Sequence, residues 1–300
     1  MDRAELRRQE YEGRVNRAMD YVRDHLSEDL RLEALARAAN FSPFHFHRIF
    51  KAHVGETVND YVRRVRVQRA AAMLIHNRSM TITEVAVACG YSSPSSFARC
   101  FRQHFDVSAS QFRNEGQTAL DRFRDQLVEK GVGVHPHHPQ RTDIVFRVQV
   151  REEPVRHVAY LRHVGEYSEI GKAFGKLARW AGPRRLFRAE TRMLTVYHDS
   201  PDVTPIDKLR CDACMTIPEG TKVKRNIGSM TLPGGTYAVA YAEISETQYG
   251  EAWDRLFSDW LPESGYQPDD RPCYELHLND PRKHPQHKHI VEICEPIRPL

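Results

Sequence analysis

No run of apolar residues in this chain approaches the roughly eighteen that a helix needs to cross a bilayer. The opening residues, Met1-Asp2-Arg3-Ala4-Glu5-Leu6-Arg7-Arg8, lack the apolar core of a secretory signal. Both absences point to a cytoplasmic protein with no membrane partner. A large excess of one charge is lacking as well, since 44 Lys and Arg stand against 40 Asp and Glu, a net of +4. Cysteine is too sparse for a disulfide scaffold: six in 300 residues read as buried thiols of a reducing compartment. Metal-ligand spacing is also missing. Cys211 and Cys214 on one strand point to opposite faces and have no matching second pair. His135, His137 and His138, and later His284, His287 and His289, read as loop histidines without a carboxylate or cysteine to complete a site. No metal, cofactor or catalytic residue is expected.

What is present divides the chain. Residues 1–115 hold 18 basic against 14 acidic residues, so the whole cationic excess lies in that part. This suits partial phosphate contact, although the excess is small. A pattern also occurs twice there. Each copy has a helix rich in small residues (Ala34, Leu35, Ala36, Ala39; Val85, Ala86, Ala88, Cys89), then a turn at Asn40-Phe41 or Gly90-Tyr91. A second helix follows, with Ser42 or Ser93 as N-cap and Pro43 or Pro94 at the first helical position, where a missing N–H costs nothing. Phe46, Ile49 and Phe50, or Phe97, Cys100 and Phe101, recur at helical spacing and face a core. The opposite faces carry Phe44, His45, His47, Arg48 and Lys51, or Ser95, Ser96, Arg99 and Arg102. The pattern predicts a tandem helix-turn-helix.

An amphipathic helix over Tyr11 to Leu26, with Val15, Met19, Val22 and Leu26 inward, covers the first unit. Gly55 stops the first recognition helix, and a connector helix runs from Thr57 to His76 with Val58, Tyr61, Val62, Val65 and Ala72 inward. Arg63, Arg64, Arg66 and Arg69 on that connector read as a solvated face. Thr81-Ile-Thr-Glu84 is a capping box. A short closing helix carries Phe112, and residues 116–142 form a linker of one charged helical piece and a turn-rich stretch.

Residues 143–300 repeat themselves at a shift of about eighty positions. Val158-Ala-Tyr160 matches Val239-Ala-Tyr241, Leu177 and Trp180 match Leu256 and Trp260, and His198-Asp-Ser-Pro201 matches Leu278-Asn-Asp-Pro281. Cys211 to Cys214 match Val291 to Cys294. Each copy reads strand, helix, strand, strand. The second helix shows Tyr249, Trp253, Leu256, Phe257 and Trp260 on one face. The expected architecture is therefore an all-α tandem helix-turn-helix followed by an α+β domain of two strand-helix-strand-strand repeats, with a pseudo-twofold axis and a cleft.

Two candidate sites follow. On DNA, Arg48 and Arg99 suit guanine O6 and N7, His47 and Ser96 can hydrogen-bond more permissively, and Phe44 can touch thymine methyls. Lys51, Arg102 and the helix N-termini suit phosphates. In the second half, Glu275 and Glu292 are carboxylates on strands with apolar neighbours, and such a group must be paired, protonated or waiting for a cation. Either acid could equally serve an ordinary salt bridge.

Residues 28–113 resemble the DNA-binding domain of AraC/XylS transcription regulators, through Gly90-Tyr91-Ser-Ser93-Pro-Ser-Ser-Phe97-Ala-Arg99-Cys-Phe101-Arg102 and then Phe105. The resemblance implies two recognition helices in successive major grooves, and RNA polymerase as a further partner. That family often has a Pro before its closing helix, whereas Ala109 and Ser110 stand here. Residues 143–298 look like the GyrI-like effector-binding domain, through Trp260-Leu-Pro-x-Ser-Gly-Tyr266, Pro272-x-Tyr-Glu275, Asn279-Asp-Pro281 and Val291-Glu292-Ile-x-x-Pro296. This implies an aromatic cleft with an acid that attracts cationic lipophilic effectors. Tyr160, Tyr241, Trp253, Phe257, Glu275 and Glu292 are the candidate ligand contacts.

The leading expectation is a DNA-binding transcription regulator that senses a small lipophilic or cationic molecule. One alternative is a hydrolase of strained or toxic small molecules using a cleft glutamate as base. Another is a constitutive DNA-binding protein whose C-terminal domain binds a protein.

Overall fold

The computed structural model describes residues 3–134 and 142–300. The side chain of Phe44, and the histidines at 135, 137 and 138, lie outside the described residues. The chain divides into two compact units: Met1–Val132 with the short pieces Asp202–Thr204 and Lys224–Gly228, and the remainder from Gly133 onward.

The first unit is helical: α1 (Arg3–Asp24), α2 (Leu32–Ala38), α3 (Pro43–Val54), α4 (Val58–His76), α5 (Ile82–Ala88), α6 (Pro94–Phe105), α7 (Ala109–Glu115) and α8 (Gln117–Glu129). The periodic apolar residues make two cores. Val15, Met19, Val22 and Leu26 of α1 and its end close over Leu35, Phe46, Phe50, Val58 and Tyr61. Val67, Ala70, Ala71 and Leu74 pack with Val85, Phe97, Phe101, Phe105 and Phe112. The 19 residues of α4 belong to both cores and extend about 28 Å. The compact unit runs past residue 115, because Ala119, Leu120 and Phe123 of α8 join the second core.

Several local expectations need correction. Ala72 is exposed, and α4 turns Val67, Ala70, Ala71, Met73 and Leu74 inward instead. The connector arginines are not a uniform solvated face. Arg64 is buried, donating to Glu56 and Gln68, and Arg66 donates to the carbonyls of Leu26 and Glu28. Ser42 caps no backbone group; its hydroxyl pairs with the Nδ1 of His45. Ser93 does accept from the Ser96 N–H, and Thr81 and Glu84 form the full capping box.

Asn40 (φ 53°) and Gly90 (φ 77°) hold the same left-handed turn position in the two copies. Asn tolerates that conformation, but at 90 a Cβ would also meet the Leu26 carbonyl oxygen at 2.4 Å and the Arg66 guanidinium at 2.7 Å. Glycine is required there by space as well as by φ.

The second unit contains β1 (Val145–Glu153), β2 (Arg156–Val164), α9 (Gly171–Ala181), β3 (Met193–Tyr197), β4 (Arg210–Thr216), β5 (Ile227–Leu232), β6 (Gly235–Ile244), α10 (Tyr249–Asp254), β7 (Tyr266–Pro268), β8 (Tyr274–His277) and β9 (His289–Pro299). Among the described residues one sheet runs β1-β6-β9-β8-β3-β4-β2-β5, with β7 paired to β9. The order β6-β9-β8 mirrors β2-β4-β3, which places the pseudo-twofold axis between β3 and β8. At that seam Thr195 lies opposite Glu275, and these are the same position in the two repeats.

One departure from symmetry was written in the spacing. Leu177 and Trp180 are three apart, while their counterparts Leu256 and Trp260 are four apart. The second helix absorbs this extra residue by passing from α10 into a π-helical segment over Arg255–Trp260.

Candidate nucleic-acid interface and ligand cleft

Proline at the first position and aromatic residues every three or four residues set the roll of α3 and α6. Phe46, Phe50, Phe97 and Phe101 are at most 1% exposed, so the opposite residues must face outward. His45, His47, Arg48 and Lys51 on α3, and Ser95, Arg99 and Arg102 on α6, are exposed, while Ser96 is half-buried. Arg14 of α1 donates to the Asn40 carbonyl and lies over the Phe41 ring, fixing the turn before α3. Each unit therefore presents a helix that carries donors on a rigidly backed face.

The α+β domain separates the candidate ligand contacts into two groups, because cross-strand partners share a face of the sheet. One row reads Tyr160, Cys214, Leu194, Leu276, Glu292 and Tyr241. The next reads Leu161, Ala213, Thr195, Glu275, Ile293 and Ala240. Glu292, Tyr160 and Tyr241 thus lie on the face opposite to Glu275. Trp253 and Phe257 pack in the cluster with Ile293 and Ala240, on the Glu275 side. Glu292 is held by Arg151 through two bonds of 3.0 and 2.6 Å, so it is the salt bridge its ambiguity allowed. Tyr241 donates to Glu243 with Arg147 over its ring, and Arg162 covers Tyr160.

Glu275 is different. Its side chain is 0% exposed and no cation pairs with it among the described residues. The Trp253 indole N–H donates to Oε1 at 2.6 Å and the Tyr197 hydroxyl to Oε2 at 2.8 Å. Burial pushes its pKa up to about 7, against the opposing pull of these two donors. The indole edge meets the Tyr197 ring at 5.9 Å and 83°, and stacks with Phe257 at 5.9 Å and 15°. Tyr167 closes on Tyr197 from the other side at 4.9 Å. Burial and the nearby Glu275 charge both push the Tyr249 hydroxyl pKa upward. The site is an acid enclosed by aromatic rings, satisfied only by neutral donors.

Tyr197 and Tyr249 were the residues that sequence reasoning missed at this site. Tyr197 directly precedes the matched His198-Asp-Ser-Pro201 segment and shares period two with Thr195. Only the β3–β8 register shows that it meets Glu275.

Comparison with known proteins adds the following. Residues 35–115 match a family profile described as a helix-turn-helix domain. Residues 146–298 match one described as a GyrI-like small molecule binding domain. The chain is 32% identical over 136 residues to the DNA gyrase inhibitor of Escherichia coli (strain K12), covering 44% of this chain and 85% of that one. It is 34% identical over 131 residues to DNA gyrase inhibitor 2 of Dickeya dadantii (strain 3937), covering 42% and 82%. Among solved structures, the EcmrR–DNA complex in EcmrR-RPo aligns with 90% of this chain and 100% of that one, at 14% identity and a TM-score of 0.46.

Proposed function

Since the chain belongs to the GyrI-like family and carries an AraC-type helix-turn-helix domain, we propose that it is a transcription regulator whose effector is a lipophilic cation held at Glu275. The observation that carries this reading is the buried carboxylate itself. A carboxylate in a low-dielectric site attracts a cation strongly, and the rings of Trp253, Tyr197 and Phe257 add cation–π contact and apolar surface. A neutral ligand would leave the charged form of the acid as costly as before.

On the DNA side, α3 and α6 enter successive turns of the major groove. Arg48 and Arg99 read bases, helped by His45, His47, Ser95 and Ser96, while Lys51 and Arg102 hold phosphates. Both helices belong to one chain, so one copy covers a bipartite site. RNA polymerase is the further partner of a regulator of this kind. Coupling between the halves requires that the cation bind two states of the protein with different affinity.

The test is calorimetric titration of the full chain with tetraphenylphosphonium, against a neutral compound of similar size such as tetraphenylmethane bearing one solubilising hydroxyl. Cation-selective binding that disappears in Glu275→Gln supports the reading. Equal binding of both compounds, or binding untouched by the substitution, defeats it. A C-terminal domain that bound only a protein would show neither cation selectivity nor dependence on Glu275.

A further inference from the structure

The pseudo-twofold axis makes the surroundings of Glu275 one half of a pair. Shifting by eighty residues carries Glu275 onto Thr195, Tyr197 onto His277, and Trp253 to the neighbourhood of Phe174, one residue being absorbed by the π-helical segment. The contacts follow the same operation. Tyr197 bonds to Glu275 at 2.8 Å in one half, and His277 Nε2 pairs with Thr195 Oγ1 at 2.9 Å in the other. Trp253 meets Tyr197 edge to face at 5.9 Å, and Phe174 meets His277 edge to face at 5.4 Å. The two repeats therefore supply two half-sites on one sheet face, with Glu275 and His277 two residues apart on β8, about 7 Å along the strand.

Their chemistry is opposite. The acid half offers carboxylate oxygens. In the other half, burial and the neighbouring His289 push the His277 pKa down to about 4, so its ring is neutral near pH 7. A neutral imidazole has one N–H and a threonine one O–H. One of these two hydrogens is used in the bond between them, whichever tautomer is present. The other remains on His277 Nδ1 or on Thr195 Oγ1, and neither side chain makes another hydrogen bond among the described residues. Thr195 is 1% exposed while His277 is half-buried, so the hydrogen left over is open to an acceptor brought against this pair.

We propose that His277 and Thr195, with Phe174 as their apolar wall, are a second recognition point for the same effector. The effector class is then an aromatic cation that also carries an uncharged hydrogen-bond acceptor on its ring system. This assignment rests on the cation reading of Glu275 and narrows it. Cations without an acceptor bind through the acid half alone.

The experiment uses the full chain and two probes that differ in one atom, (2-naphthylmethyl)trimethylammonium and its quinolin-6-ylmethyl counterpart, with affinities measured by calorimetry at pH 8. The quinoline nitrogen supplies the acceptor. Wild-type protein is expected to prefer the quinoline probe by about fivefold to tenfold, one added hydrogen bond. Thr195→Val and His277→Phe, each of which keeps the apolar volume, should bring the ratio near one. Glu275→Gln should weaken both probes together. A wild-type ratio of one, with both probes still dependent on Glu275, overturns this proposal and leaves the cation site standing. Loss of Glu275 dependence for both probes overturns the cation reading and this proposal with it.

Discussion

Replacing Glu275 with Gln keeps the side-chain size and removes its charge, and two measurable consequences follow from the burial of the acid. The folded carboxyl titrates near 7 instead of its ordinary 4.5, so above pH 4.5 the folded state binds more protons than the unfolded state. Stability of the wild type therefore falls as pH rises from about 4.5 to about 7, and then levels. At 1.36 kcal/mol per pKa unit the loss is of order 3 kcal/mol. The amide can still accept from the Trp253 indole, and its NH₂ can donate to the Tyr197 oxygen, so the bonds at this position survive the change. Glu275→Gln should consequently match the wild type near pH 4.5 and exceed it at pH 8. The gain in melting temperature should be roughly 6–12 °C for a domain of this size. Ligand binding should move the other way. A cation selects the ionised form, so tetraphenylphosphonium should bind wild type about tenfold more weakly at pH 6 than at pH 8, whereas any residual binding to the Gln variant should not depend on pH. Differential scanning calorimetry and titration calorimetry across this range read both effects. A Gln variant that melts several degrees lower at pH 8, or a pH-independent wild-type affinity, would refute the argument that an unpaired buried acid waits for a cation.

Further outcomes can be checked separately. Arg48→Ala or Arg99→Ala should cost about 1–3 kcal/mol on a selected site and relax preference at one base pair, whereas Lys51→Ala should weaken specific and random DNA alike and flatten the salt dependence; equal losses on both DNAs for Arg48→Ala would make it a phosphate contact. A dilute full chain should shift a site of about two helical turns with one protein per site in analytical ultracentrifugation; a dimer-only complex would contradict the tandem reading. Glu292→Gln should leave cation affinity unchanged while lowering the melting temperature slightly, because it removes one of the two carboxylates that hold Arg151, Glu153 being the other; a drop in cation affinity would return Glu292 to the ligand site. Thr81→Ala should destabilise by about 1 kcal/mol through loss of the capping box, read by urea unfolding.

Much of the fold could be read from local pattern. Helix boundaries in the first unit were marked by Pro43, Pro94, Thr81 and the spaced phenylalanines, all of which act within a few residues of themselves. The two repeats were visible for the same reason, as short strings recurring at a fixed shift. The candidate ligand site was less legible. Alternation places Glu275 and Glu292 on strands next to apolar neighbours, but which acid is paired depends on partners 141 residues away, as with Arg151 and Glu292. No local signal encodes that distance. The same holds for Tyr197, which reaches Glu275 across 78 residues. Tyr160 and Tyr241 looked suitable as aromatic residues, yet the register places them behind the sheet.

The most direct measurement is transcription in vitro from a promoter carrying a DNA site selected with the full-length protein, with and without tetraphenylphosphonium. The account predicts that the cation changes transcript yield with wild-type protein and has no effect with Glu275→Gln, while both proteins occupy the site without ligand. Transcript yield that ignores the cation, or that responds equally with both proteins, would contradict it.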